Sequence, residues 1–566
     1  MARLAARPDH ASNRCPRAFY HRRRLSRRSR RRRLRHAAPA RSRAHLSRHD
    51  DPPVGRRQAA SNALAKRSRG SSLATNQRGG WSLTYEPAAQ RALDTAAARG
   101  AQYADVRFER DHGENIEVRN GRVATLSDDE SIGYGIRAFY QGAWGFAASP
   151  DTSDRGIDQT AARAVEIAKA GAAIARERFG EAPADVYVDR YATPVEEDPQ
   201  SVPLAERVEL LLDAERLLHV APQVRVGRAW MDLWRKESEF YSSIGSRIAQ
   251  ETAQSGSGIE ALAVDGGDAQ DRTWPGDNGL YQGGGYEIIR KAALRENAQR
   301  IGEEAVALLS APQCPPGTMD VVLGGSQVSL QIHESCGHPA ELDRVMGWEA
   351  NFSGTSFLEI DQLDRLRYGS PLVTIVVDNT LPLGFATCGY DDEGAKSVRS
   401  DIIREGVLRG YLMSRDTARR IGRTTNACVR AESWMHVPMI RMCNLNLLPG
   451  ETPFDQLFDG IKHGIYMESN RSWSIDDRRL NFQFGCQIGW EIVDGKRTRM
   501  VKNPTYGGMT PHFWNSCDAV ADANSWEVWG TPNCGKGEPM QTGRTSQCAA
   551  PARFRNIAVG VGYAGS

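Results

Sequence analysis

Two imidazoles flank one carboxylate in the run Gln331-Ile332-His333-Glu334-Ser335-Cys336-Gly337-His338-Pro339. Neutral imidazole is the commonest protein ligand for a transition metal, and a neighbouring carboxylate can take a proton from a water that the metal has acidified. These residue types therefore point to metal-assisted hydrolysis. The spacing is one residue longer than the His-Glu-x-x-His helix of zinc peptidases. On a regular α-helix, positions i and i+4 lie about 40° apart, whereas i and i+5 lie about 140° apart and cannot share a metal. A π turn, with its i→i+5 bonding, brings the two back towards one face. The local sequence favours that distortion. Gly337 is permissive, Pro339 has no N–H to offer the Ser335 carbonyl, and a residue before proline is biased away from α conformation. The expectation is a helix from about Gln327 that widens or ends at His338.

Two histidines leave a catalytic zinc one protein ligand short, since such sites commonly hold three plus water. Glu341 is close enough to serve, or to orient an imidazole from behind. His436, His463 and His512 are further candidates, and Cys486, in an apparent strand, is another. Cys534 is the most suggestive: it lies in Pro532-Asn533-Cys534-Gly535-Lys536-Gly537-Glu538-Pro539, where small residues allow close approach to an ion and Lys536 would favour a thiolate. Arg430 and Arg441 have the chemistry to hold a peptide carboxylate, although surface ion pairing is the simpler expectation. Asp391, Asp392 and Glu393 read as a turn or a solvated acidic patch rather than a metal site.

Several segments match one family in order. His333 to Asp343 resembles the His-Glu-x-x-x-His signature of the TldD/PmbA metallopeptidases. Val376 to Thr380 resembles a family strand ending in Asp, Asp391 to Gly394 its Asp-Asp-Glu-Gly element, and Gly406 to Tyr411 its Gly-x-Leu hairpin. Asn426 with Ala427, Arg441 through Asn444, and Asn533 to Lys536 resemble its Asn-Ala, Arg-x-x-Asn and Cys-Gly-Lys pieces. The resemblance spans roughly residues 83 to 563 and is strongest after about 318. It implies that Zn2+ is held by His333, His338 and Cys534 and that Glu334 is the general base. It also implies an enclosed cavity within a dimer, with unfolded or unstructured peptides as substrates. Because the metal motif is intact, the chain resembles the TldD-type branch, which implies a PmbA/TldE-like partner or, alternatively, a homodimer. The run Gln541 to Arg544 and the extra Cys548 depart from the expected pattern and leave substrate preference and pairing open.

The elements that must position these residues follow from composition and patterning. A chain of 566 residues can bury several cores. Residues 1 to 80 carry 23 Lys/Arg and 3 Asp/Glu, the remainder 50 and 66, so a strongly basic stretch precedes an acidic body. The basic stretch is too poor in large apolar residues to offset its ordering entropy, and disorder is expected there. An Arg-rich extension of this kind would bind nucleic acid or anionic surfaces non-specifically; a start codon chosen too far upstream is the competing explanation. It has no apolar signal segment, and no run elsewhere has the length to span a bilayer. The ten cysteines form no Cys-x-x-Cys pairs, so buried free thiols and a cytoplasmic location are expected.

Patterning predicts helices at 87–99, 154–176, 204–218 and 288–309, and strands at 104–109, 115–118, 131–146, 223–233 and 237–254. An Asn120-Gly121 hairpin is also expected. The fold class is α+β: an N-terminal α/β section (81–185), a middle α/β section (186–312) and a β-rich C-terminal domain (313–566) carrying the metal helix. The functional expectation is a zinc-dependent peptidase. The alternative is a zinc-stabilised peptide-binding or regulatory subunit without turnover.

Overall fold

The computed structural model describes residues 84–176, 178–180, 184–352 and 354–560; the Arg-rich stretch of residues 1 to 80 lies outside them. The fold is α+β, as the patterning implies. Its first sheet has eight strands. Ala143–Ser149, Arg122–Tyr140, Tyr103–Arg119, Val224–Ser242, Arg247–Asp265 and Val188–Ala192 lie side by side, and Asp268–Trp274 and Leu280–Gly283 both pair with Arg247–Asp265. Tyr103–Arg119 and Val224–Ser242 pair antiparallel from Asp105/Ser242 to Arg119/Arg228, so strands from the first and middle sections share one sheet. Asn120 and Gly121 form the expected hairpin turn.

Helices cover this sheet. Glu86–Ala98 packs with Asp154–Ile174 over one apolar cluster, and Leu204–Leu218 packs with Leu294–Ser310 over a second. Ser153 caps the second helix, its hydroxyl accepting the Gly156 N–H at 3.1 Å.

Four expectations change. The segments expected as separate strands at 104–109 and 115–118 form one strand, Tyr103–Arg119, because the neighbouring strands pair through the whole length. The single strand expected at 131–146 is two strands, Arg122–Tyr140 and Ala143–Ser149, joined by a tight turn at Gln141 and Gly142. The helix predicted at 288–309 is broken into Tyr286–Lys291 and Leu294–Ser310, with Ala293 in the left-handed region at φ 48°. The Trp274 indole takes the Ala292 carbonyl at 2.9 Å and the Asn297 amide takes that of Ala293 at 2.9 Å, so side chains claim acceptors that a continuous helix would use. The strand break predicted between 233 and 237 falls instead at Ser243–Ser246, because the neighbouring strand pairs straight through the earlier position.

The C-terminal region is β-rich. Its largest sheet runs His463–Ile475, Gly317–Leu323, Ala552–Val559, Thr505–Met509 and Asn481–Val493, and the last strand pairs back with the first, closing the circuit. The first segment after Gly317–Leu323 is the helix Gly325–Ile332. It contributes Val328 and Ile332, both fully buried, to the main core. A separate two-stranded hairpin, Glu527–Lys536 with Gln541–Ala549, lies against this helix and carries Cys534.

Candidate metal centre

The helix Gly325–Ile332 widens into a π turn over His333–Gly337, and the His338 N–H bonds the His333 carbonyl. The Ser335 carbonyl, which Pro339 cannot satisfy, accepts the Tyr368 hydroxyl instead. Gly337 is needed for packing here: a Cβ at this position would stand 2.3 Å from the Met442 sulfur. The inner face of the helix is tied down by buried polar contacts. Gln327 donates to the Tyr506 hydroxyl at 3.0 Å, which donates to Gln331 at 3.0 Å; Gln331 and the Trp514 indole both donate to the Ser335 hydroxyl at 2.9 Å. These bonds set the rotation of the helix, and so the direction in which both imidazoles point.

The rings of His333 and His338 meet edge to face, with centroids 5.0 Å apart. Cys534 reaches them from the hairpin. One donor atom from each of the three residues lies within 4.8 Å of the other two, and all three side chains are buried. Cys534 Sγ stands 3.7 Å from His338 Nε2. A tetrahedral zinc with ordinary bond lengths would place its sulfur and nitrogen donors about 3.6 Å apart, so the donor set fits that ion. The back of each ring is also engaged: His338 Nδ1 meets Glu341 Oε2 at 3.0 Å and His333 Nδ1 meets Gln547 Oε1 at 3.3 Å. These acceptors engage Nδ1 of each ring and leave the opposite nitrogen turned towards the cluster.

The electrostatics of Cys534 and His333 agree with this geometry. Burial opposes ionisation of Cys534, but His333 and His338 outweigh it and hold the thiol well below its usual range. Burial likewise opposes charge on His333, yet Cys534 and then Glu334 lift its pKa to about 9. Without a metal the cluster thus favours a thiolate beside an imidazolium, and a cation would replace the proton that holds it together.

Lys536 does not serve Cys534 as the sequence suggested. Its buried ammonium lies 3.0 Å from Asp343, 3.0 Å from Glu349 and 3.4 Å from Glu341, and donates to the Ile440 carbonyl at 2.6 Å. Glu341 therefore sits between the candidate ligand His338 and a buried cation, and those charges hold its carboxyl well below the usual range despite burial. Of the other candidates, His436 is bonded to Ser433, His463 and His512 are exposed, and Cys486 is buried with its thiol pushed up by burial. None belongs to the cluster. The nine cysteines among the described residues are free and buried.

Glu334 follows His333 on the π turn and is buried. Its Oε2 accepts from Arg479 Nη1 at 2.8 Å. Arg479 occupies the turn between His463–Ile475 and Asn481–Val493 at φ 61°, and no motif pointed to it. Gln547 also escaped sequence reading, because its role depends on strand register rather than on local pattern. The Asp391 turn forms as expected, with Asp391 Oδ1 accepting the Glu393 and Ala395 N–H groups, but it is buried rather than solvated, and Glu393 pairs with Arg137 at 2.9 Å.

Fold and site together belong to a metallopeptidase. Profiles described as PmbA/TldA metallopeptidase domain 1, central domain and C-terminal domain match residues 104–168, 197–311 and 316–560 in turn. The chain is 28% identical to a metalloprotease of Methanothermobacter thermautotrophicus over 81% of its own length and 95% of that protein. It is also 28% identical to the metalloprotease TldD homolog of Haemophilus influenzae, over 78% of this chain and 90% of that one. The crystal structure of TldE from Thermococcus kodakarensis shares the fold, with a TM-score of 0.61 at 13% identity, covering 84% of this chain and 100% of that one. The chain belongs to the PmbA/TldD family of metallopeptidases.

Proposed function

We propose that this protein is a zinc-dependent peptidase of the TldD type, with His333, His338 and Cys534 as metal ligands and Glu334 as general base. The observation that supports it best is the meeting of three buried donors, two from a π turn and one from a distant hairpin. A thiolate with two imidazoles favours zinc over harder divalent ions. Bound by these residues, zinc would supply a Lewis acid and an acidified water. Glu334 takes the proton of the attacking water and passes it to the leaving amine. Glu341 and Gln547 keep both imidazoles in the tautomer that presents a bare nitrogen. Arg479 fixes the orientation of Glu334. The substrates are unfolded or unstructured peptides that reach an enclosed cavity in a dimer, formed with a PmbA/TldE-like subunit or with a second copy. Among the described residues no helix is long and apolar enough to cross a membrane.

A second reading, a zinc-stabilised peptide-binding or regulatory subunit without turnover, draws support from the Arg479–Glu334 ion pair, which occupies a carboxylate oxygen that the peptidase reading needs for the water. Glu334→Gln separates the two. On the peptidase reading this variant keeps stoichiometric zinc and loses cleavage by about 10²- to 10⁴-fold. A wild-type protein that binds zinc but cleaves no peptide, alone or with a PmbA-like partner, would establish the second.

A further inference from the structure

A cavity of about 220 Å3 lies beside the metal hairpin, between the strands Val224–Ser242 and Arg247–Asp265 and the C-terminal region. Lys236, Arg430, Arg441 and Arg544 line it, against only two carboxylates, Asp392 and Glu432. The surface ion pairing expected for Arg430 and Arg441 is not what forms. Arg441 is 2% exposed and gives its terminal nitrogens to the carbonyls of Gln541 and Cys534, while its buried Nε has no hydrogen-bond partner. Arg430 donates to the Ala386 carbonyl at 3.1 Å. Arg544 donates to Gln254 at 3.0 Å and lies over the Trp234 ring at 4.3 Å. Among the described residues none of these three guanidinium groups has a carboxylate within ion-pair distance; Lys236, by contrast, is shared between Glu109 and Asp111 at 3.5 Å each.

Three arginines around one small cavity, without paired carboxylates, make a site that an anion completes. The carboxylates whose charge reaches these arginines are engaged by other donors: near Arg544, Asp232 accepts from the Tyr281 hydroxyl and from Asn115 at 2.7 Å and Glu432 accepts the Thr542 N–H at 2.7 Å, and near Arg430, Asp391 accepts the Glu393, Ala395 and Val429 N–H groups and Asp392 accepts the Ala431 N–H at 2.7 Å. Burial weakens the charged form of Arg544 more than Asp111, Asp232 and Glu432 restore it. The cavity also adjoins the metal site through the chain. Arg441 bonds the backbone of Cys534, and Gly543, which lines the cavity, is the cross-strand partner of Cys534. Arg441 packs closely on Gly543, where a Cβ would stand 2.7 Å from Arg441 Nη2.

We propose that this cavity is a carboxylate subsite for the peptide substrate, in which Arg544 and Arg430 receive the anion and Arg441 couples the subsite to the Cys534 strand. The proposal deepens the peptidase reading above and rests on it. The anion is either the C-terminal carboxylate of the peptide or an Asp or Glu side chain; the space admits a side chain or chain end and not a folded partner.

The test uses full-length, zinc-loaded protein and matched peptides: free acid against C-terminal amide, and Glu against Gln at interior positions. Both kcat/KM and calorimetric affinity are measured. The expected result is a preference of the wild type for one acidic member on the order of 10- to 100-fold, and the pair that shows it identifies the source of the carboxylate. In Arg544→Gln the ratio of acidic to neutral kcat/KM collapses towards one, and Arg544→Lys restores part of it. Equal handling of every pair by the wild type overturns the proposal while leaving the peptidase reading intact, as does a loss in Arg544→Gln that falls equally on both members. If no peptide is cleaved, the peptidase reading fails, and equal calorimetric affinities for all pairs would still overturn the subsite on its own.

Discussion

Replacing Glu341 by Gln tests whether the proposed metal centre depends on what lies behind its candidate ligands. His338 Nδ1 meets Glu341 Oε2 at 3.0 Å while Nε2 faces Cys534 Sγ at 3.7 Å. Gln keeps the volume and one acceptor but removes the charge. A hydrogen bond to an ionised acceptor contributes about 1.5–3 kcal/mol and a neutral one about 0.5–1.5 kcal/mol. The difference, near 1–1.5 kcal/mol, corresponds to about 5- to 13-fold in affinity. Loss of negative charge behind the imidazole also makes it a poorer donor, and partners of this kind are worth about 10- to 100-fold in metal binding. The variant should therefore bind zinc about 10- to 100-fold more weakly. It should still fold, because Lys536 retains Asp343 and Glu349 and Arg344 retains Glu349. The assay is competition with a chromophoric chelator at fixed pH, beside circular dichroism of both proteins. An affinity within twofold of wild type in a folded variant would refute the reasoning: Glu341 would then serve the buried ion-pair network alone.

Other outcomes follow from the same contacts. Cys534→Ser removes the one sulfur donor, and metal analysis after dialysis against a mild chelator should show the variant emptied while wild type stays loaded. Retention of a full equivalent would mean that the ion sits elsewhere. Lys536→Met leaves Glu341, Asp343 and Glu349 buried around a missing cation, and denaturant unfolding should show a loss of about 3–5 kcal/mol; a change below 1 kcal/mol would exclude the network as a stability element. Asp416 accepts the Trp144 indole at 2.7 Å, and its carboxyl is raised to about 6 by burial and by Glu393. Its relative contribution is present below the unfolded value near pH 4 and is lost as pH rises through about 6. Asp416→Asn should thus match wild type at pH 4 and exceed it at pH 7.5 by on the order of 2 kcal/mol, and a stability difference that does not change with pH would contradict this.

Features decided within a few residues were readable without a fold. The pairing of His333 with His338 through a π turn follows from their spacing and from Pro339, which withholds one N–H. The Asn120-Gly121 hairpin and the helix Leu204–Leu218 follow equally from local backbone preference and apolar period. The family resemblance pointed to Cys534, but residue chemistry alone left it among several histidines and cysteines. Its approach to His338 spans 196 positions and depends on how the hairpin packs against the helix. Tertiary packing alone decided the rest. It brought Arg479 to Glu334, turned Lys536 away from the thiol, broke the helix at Ala293, and buried Arg441 instead of pairing it at the surface. A side chain's type limits the bonds it can make, whereas its partner is set by strand register and core packing, which act between residues far apart in the chain.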